Sequence, residues 1–170
     1  FNVAVGYGAG VAVTTGLQNT FIGAATGDAT TTGSYNTALG YTALGANTTA
    51  DSNVGLGYAA LGANTTGTRN VAVGTNSLDA NTTANDNTAI GHNSLTTNST
   101  GTSNVAVGYQ ALRLNATTNQ NVAVGYQALD SNIASDNTAV GYNSLLANTT
   151  GADNTAVGSS ALLDATTGAR

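Results

Sequence analysis

His92 is the only histidine in this 170-residue chain, and all eight acidic side chains are Asp. With three Arg (Arg69, Arg113, Arg170) and seven Tyr, they are the whole stock of titratable side chains. Cutting a glycosidic bond is the sharpest chemistry to ask of such a set, and it needs two carboxylates held about 5 to 9.5 Å apart. The chain has no Glu, and its Asp residues lie mostly in turn-like phrases without recurring at one place. No nucleophile, base and orienter set can be assembled, so no catalytic residue and no enzymatic activity are expected. His92 stands where Tyr is commonest in the pattern described below, and it reads as a Tyr substitute on the surface.

Binding chemistry has three further candidates. Asp51, Asp86, Asp136 and Asp153 lie just ahead of Asn residues, and oxygen-only clusters of this kind suit calcium. No EF-hand or nonapeptide calcium pattern accompanies them, so solvated turn Asp is the expectation, with no metal and no cofactor. Tyr7, Tyr41, Tyr58, Tyr109, Tyr126 and Tyr142 recur in one place of the pattern. Tyr offers an apolar face and a polar tip, so Tyr41, Tyr58, Tyr109, Tyr126 and Tyr142 form a candidate contact row for glycans, or else a packing row. Asn47, Asn64, Asn81, Asn98, Asn115 and Asn148 fit the N-glycosylation acceptor pattern, which a repeated turn phrase also generates as a by-product.

Composition narrows the partners. A net charge of −5 with three Arg and no Lys leaves nothing to neutralise phosphates, so nucleic acid is not expected. No stretch approaches the roughly 18 apolar residues of a membrane span, and no signal-like start is visible. Zero Cys excludes disulfide and thiolate-metal frameworks. Apolar content of 41% with little charge argues against disorder. The absence of Pro fits a backbone whose N–H groups are nearly all needed in ladders.

What positions these side chains is a repeat. NVAVGYQAL occurs at Asn104 to Leu112 and again at Asn121 to Leu129. Close copies of NVAVG start at Asn2, Asn19, Asn36, Asn53, Asn70, Asn87, Asn104, Asn121, Asn137 and Asn154. Every interval is 17 except the 16 between Asn121 and Asn137, so residues 1–170 read as ten units of one repetitive segment of a longer fibre. Counting Asn as position 1, position 2 is always β-branched, position 3 small apart from Phe21, position 4 aliphatic and position 5 Gly. Position 9 is Leu in the last eight units, and position 12 is mostly Asn, opening a phrase such as NTTG.

Positions 2 to 4 alternate as a strand does, Gly at position 5 permits a bend, and Asn-Thr-Thr-Gly is turn chemistry. The x-Ala/Ser-Leu segment reads as a second short strand. Such a unit cannot bury an apolar face alone, but stacked units can, as coils of a parallel β-solenoid rising roughly 4.8 Å each. The fold class is therefore all-β. The ten position-1 Asn should stack into a structural ladder of side-chain amides. The missing residue of the short unit falls after Asn132, in a turn, where a deletion leaves strand register intact. The Ala row at position 3 suits either close approach of another chain or a tight coil interior. The first two units, with Gly10 and Gly27 in place of Leu, read as coils with a different second strand.

The unit N-[TV]-A-[VI]-G-Y-x-[AS]-L-x-x-N-T-T-G resembles repeats of trimeric autotransporter adhesin heads and of phage tail-fibre shafts, over essentially the whole chain. The resemblance implies a left-handed β-roll, three chains about one axis, and an extracellular place at a bacterial cell surface or on a virion tail. It departs from the adhesin head in unit length. The function expected is a structural shaft that spaces a receptor-binding tip or makes repeated weak contacts to glycans or other surface receptors. The alternatives are a self-assembling extracellular filament and a monomeric ice-binding solenoid. Thr48/Thr49, Thr65/Thr66 and Thr149/Thr150 are the rows to examine for ice, although a flat face wants Thr-x-Thr.

Overall fold

A computed structural model describes residues 1–168 of the chain. Its strands are β1 (Val3–Val5), β2 (Thr20–Ile22), β3 (Thr37–Leu39), β4 (Val54–Leu56), β5 (Val71–Val73), β6 (Thr88–Ile90), β7 (Val105–Val107), β8 (Val122–Val124), β9 (Thr138–Val140) and β10 (Thr155–Val157). All ten pair parallel, in sequence order, in one sheet. The fold is a parallel β-solenoid, one strand per coil. Equivalent positions lie directly on one another, as Val71 on Thr88 and Val73 on Ile90. The short coil keeps this register: Val122 pairs with Thr138 and Val124 with Val140, so the lost residue is absorbed in the turn after Asn132.

The interior is built from position 3 and the far side of the coil. Ala38, Ala72, Ala89, Ala106, Ala123 and Ala139 are fully buried, as are Leu44, Leu61, Leu78, Leu95, Leu112, Leu129 and Leu145. A 17-residue coil is narrow, and a small side chain opposite Leu is what fills it at close packing. The Ala row is thus coil interior and is not free to meet another chain. Positions 2 and 4 point outward on every strand, with Leu39 51% and Ile90 40% exposed.

Positions 7 to 9 do not form the second short strand expected of them, and the turns extend from position 6 to position 11. These turns are consecutive, with positive φ at every second residue, as at Thr42 (55°) and Leu44 (52°). This handedness alternation keeps the N–H groups aimed at neighbouring coils. The Thr42 N–H donates to Ala24 of the coil before, and the Leu44 N–H donates to Ala60 of the coil after. Left-handed Leu is costly for a bulky residue. Complete burial of the Leu side chain, at roughly 1.5–3 kcal/mol, outweighs it.

Gly at position 5 answers two demands at once. At Gly57 φ is +135°, and a Cβ there would stand 2.6 Å from the Gly74 carbonyl oxygen of the next coil. Any side chain would force the coils apart at this corner.

The first two coils follow the same backbone path as the rest. Gly10 and Gly27 adopt φ +56°, close to the 49° to 54° of the Leu residues they replace. The missing Leu volume is filled by Phe21, the one large residue at position 3, which is 1% exposed. Its ring lies 2.9 Å from a Cβ built on Gly10 and 2.6 Å from one built on Gly27. The irregularity is therefore a core exchange between neighbouring coils.

Among the described residues, two ion pairs each bridge one coil to the next. Arg113 Nε donates to Asp130 Oδ1 at 2.7 Å beside a second bond to Oδ2, and Asp130 is 5% exposed. Arg69 pairs with Asp86 at 2.6 Å in open water. Hydrogen bonding from Arg69 holds the Asp86 carboxyl below its ordinary value. Its contribution is present above the ordinary carboxylate range and fades as pH falls through the lowered value; exposure keeps it small.

Candidate functional site

Four rows run along the rod, and each does something different. The position-1 Asn residues are buried side chains that fasten coils. Asn19, Asn36, Asn53, Asn70, Asn87, Asn104, Asn121, Asn137 and Asn154 are at most 6% exposed, and Asn2 lies on the first, open coil. Amide meets amide in five of the nine steps, at 3.0 to 3.3 Å, but every step also carries a bond from the next coil's backbone N–H to the amide oxygen. Asn36 Oδ1 accepts the backbone N–H of Asn53 at 3.0 Å, and Asn36 Nδ2 donates to the Ala50 carbonyl of its own coil at 2.8 Å. Asn87 repeats this with Asn104 and Gly101, and Asn2 with Asn19 and Gly16. One side chain closes its own coil and caps the next. Only Asn offers one acceptor and a donor pair at this reach.

A second Asn row lies inside, at position 12. Asn47, Asn64, Asn81, Asn98, Asn115, Asn132 and Asn148 are fully buried. Here amide meets amide: Asn64 Nδ2 donates to Asn47 Oδ1 at 3.0 Å, and Asn81 Nδ2 to Asn64 Oδ1 at 2.8 Å. Six of these are the glycosylation-pattern residues, and the folded coil has no room for a glycan on any of them. The signal for this row was its own period, which turn chemistry masked.

The row breaks on both sides of Asn115 and ends at Asn148. Asn148 Oδ1 is unpaired because the next coil has Ala165 in place of Asn. Asn98 Oδ1 is unpaired beside the one coil in which Thr118 stands where the others have Gly or Ala, its hydroxyl donating to Asn115 Oδ1. Thr118→Ala should release Asn115 to bond Asn98. The expected gain is about 1 kcal/mol, read as slower amide exchange in the coils of Asn98 and Asn115. Unchanged or faster exchange would show that Thr118 does not cause the break.

The aromatic row is on the surface. His92, Tyr109, Tyr126 and Tyr142 form one run, with successive ring centroids 5.6, 5.1 and 5.3 Å apart and planes within 14°. Tyr41 and Tyr58 stack at 5.8 Å. Tyr109 and Tyr126 have both faces covered by neighbouring rings, so a sugar would meet their edges and hydroxyls. Beside this run Gln127 Nε2 donates to Gln110 Oε1 at 2.8 Å.

The outer sheet face is the fourth row. Val, Ile and Leu at position 4 with Val or Thr at position 2 make it continuous from coil to coil, and no side chain among the described residues covers it. The turn Thr pairs are unlike a flat face. Thr48 and Thr65 are half-buried, their hydroxyls donating to the Thr65 and Thr82 carbonyls, while Thr49 and Thr66 are exposed.

Among the described residues no pocket is enclosed, and no three His or Asp side chains come together. Of the Asp residues considered for calcium, Asp51 accepts the Ser34 N–H and Asp86 holds Arg69. No helix is long and apolar enough to cross a membrane. No family model matches the sequence, and neither a curated protein nor a solved structure matches it.

Proposed function

We propose that the chain is the shaft of an extracellular fibre, with copies joined through their outer sheet faces. The observation that carries this is the uncovered apolar face at positions 2 and 4. Apolar surface of that extent marks an interaction site. Its occupant must match a repeat of roughly 4.8 Å over the whole rod. A further copy of this chain does so by construction, and closed cyclic symmetry is the usual result. Three copies are inferred from the resemblance to adhesin-head and tail-fibre repeats, as is the surface of a bacterium or virion. The rod's work is mechanical, holding a tip at a distance. Repeated weak contacts along it, to glycans or a surface receptor, would add by avidity. No catalytic role is proposed.

The test is solution mass, by light scattering or native mass spectrometry. The expected mass is three chains. Leu39→Asp with Ile90→Asp should reduce it to one chain and leave the β-rich circular dichroism unchanged, because both side chains point outward. A single-chain mass for the unaltered protein overturns the proposal, and thermal hysteresis in that monomer would favour ice binding instead.

A further inference from the structure

The chain has neither Cys for disulfides nor Lys for amide cross-links, so the usual covalent reinforcement of a rod is closed to it. It does hold Tyr rings in register on successive coils. Tyr126 stands 5.1 Å from Tyr109 and 5.3 Å from Tyr142, near-parallel to both. Tyr41 and Tyr58 are a second pair. These rings are 41% to 55% exposed, so an oxidant can reach them and they are free to tilt. We propose that the stacked pairs are sites of dityrosine formation, welding adjacent coils under peroxide and a haem peroxidase. The inference is independent of the shaft proposal.

Each phenol gives up one electron and its hydroxyl proton, leaving two phenoxyl radicals. Their unpaired density reaches the ring carbons ortho to oxygen. One Cε–Cε bond forms between the rings. The hydrogen on each joined carbon then moves to its oxygen, restoring both aromatic rings. Two hydrogen atoms are lost in total, and one hydrogen peroxide is reduced to two waters. Proximity decides the partners. Neighbouring rings are held as though in an intramolecular reaction, while Tyr109 and Tyr142 are two coils apart, roughly 9.6 Å. Tyr7 and Tyr35 are exposed and stack on no ring, which makes them internal controls.

The full chain is treated with a haem peroxidase and dilute hydrogen peroxide, then unfolded, digested and mapped by tandem mass spectrometry. Links are expected at Tyr41–Tyr58, Tyr109–Tyr126 and Tyr126–Tyr142, each lighter by two hydrogen atoms, with blue dityrosine emission and single-chain mobility under denaturing conditions. Tyr126→Phe keeps the ring and its packing but removes the phenol. It should abolish both links of the longer run and leave Tyr41–Tyr58. Links at Tyr7 or Tyr35 in equal yield, predominantly interchain links, or emission unchanged in Tyr126→Phe would each overturn the proposal.

Discussion

Phe21→Ala is expected to cost the first three coils about 3–5 kcal/mol, the range for removing a buried Phe and leaving a cavity. The site cannot collapse to heal itself. The ring lies against Gly10 of the coil before and Gly27 of its own coil, and neither offers a side chain to move in. The compensation can be engineered. With Phe21 gone, Gly10→Leu and Gly27→Leu would restore the Ala-and-Leu core of the later coils, on a backbone whose φ of +56° already suits that Leu. In the unaltered protein Gly27→Leu alone should destabilise, since its Cβ would fall 2.6 Å from the Phe21 ring. Long repeats unfold in parts, so a single melting midpoint is a poor reporter. Amide exchange at Thr20 and Thr37, whose N–H groups bond the Asn36 and Asn53 carbonyls, reads these coils directly. Exchange there that Phe21→Ala leaves unchanged, or a triple variant no better than the single one, would refute the core-exchange account.

The same coils show what the sequence could and could not reveal. The period, the strand at positions 2 to 4 and the placement of the missing residue in a turn were all legible. They depend on spacing and on β-branched chemistry, both visible in the letters. The inward face was harder. Ala at position 3 and Val or Leu at position 4 are each apolar, and only the narrowness of a coil decides that Ala goes in. The turn path of positions 6 to 11 was not legible, because Leu is a poor marker for left-handed backbone. Burial forces that conformation, and burial is a property of the stack rather than of one unit. The position-12 Asn row was misread for a related reason: Asn-Thr-Thr-Gly is ordinary surface-turn chemistry, and here its Asn faces inward. Ring stacking in the Tyr row follows from the period alone once successive coils are known to be in register.

Asn87→Asp should make the stability of the central coils depend on pH where the unaltered side chain cannot titrate. The substitution keeps the shape. One oxygen still accepts the Asn104 N–H, as Asn87 Oδ1 does at 3.0 Å. The other takes the place of Nδ2, which donates to the Gly101 carbonyl at 2.8 Å. Protonated, that oxygen donates in the same direction and the coil closes much as before. Ionised, it sets a buried negative charge against a carbonyl oxygen. Burial and that lost donor both raise the carboxyl's folded-state pKa. A raised acid is least harmful below its unfolded value of about 3.9, and the penalty then grows by about 1.4 kcal/mol per pH unit until the folded value is reached. The expected outcome is near-native exchange protection of the Asn104 amide in acid and a loss of several kcal/mol, on the order of 3–5, at neutral pH. Asn93→Asp, a half-buried position with no side-chain hydrogen bond in the coil, is the control and should show no such slope. A flat profile for Asn87→Asp would mean that the donor to Gly101 does not hold the coil closed. A steep one would show that Asn87 is required as an amide, with both its ends in use.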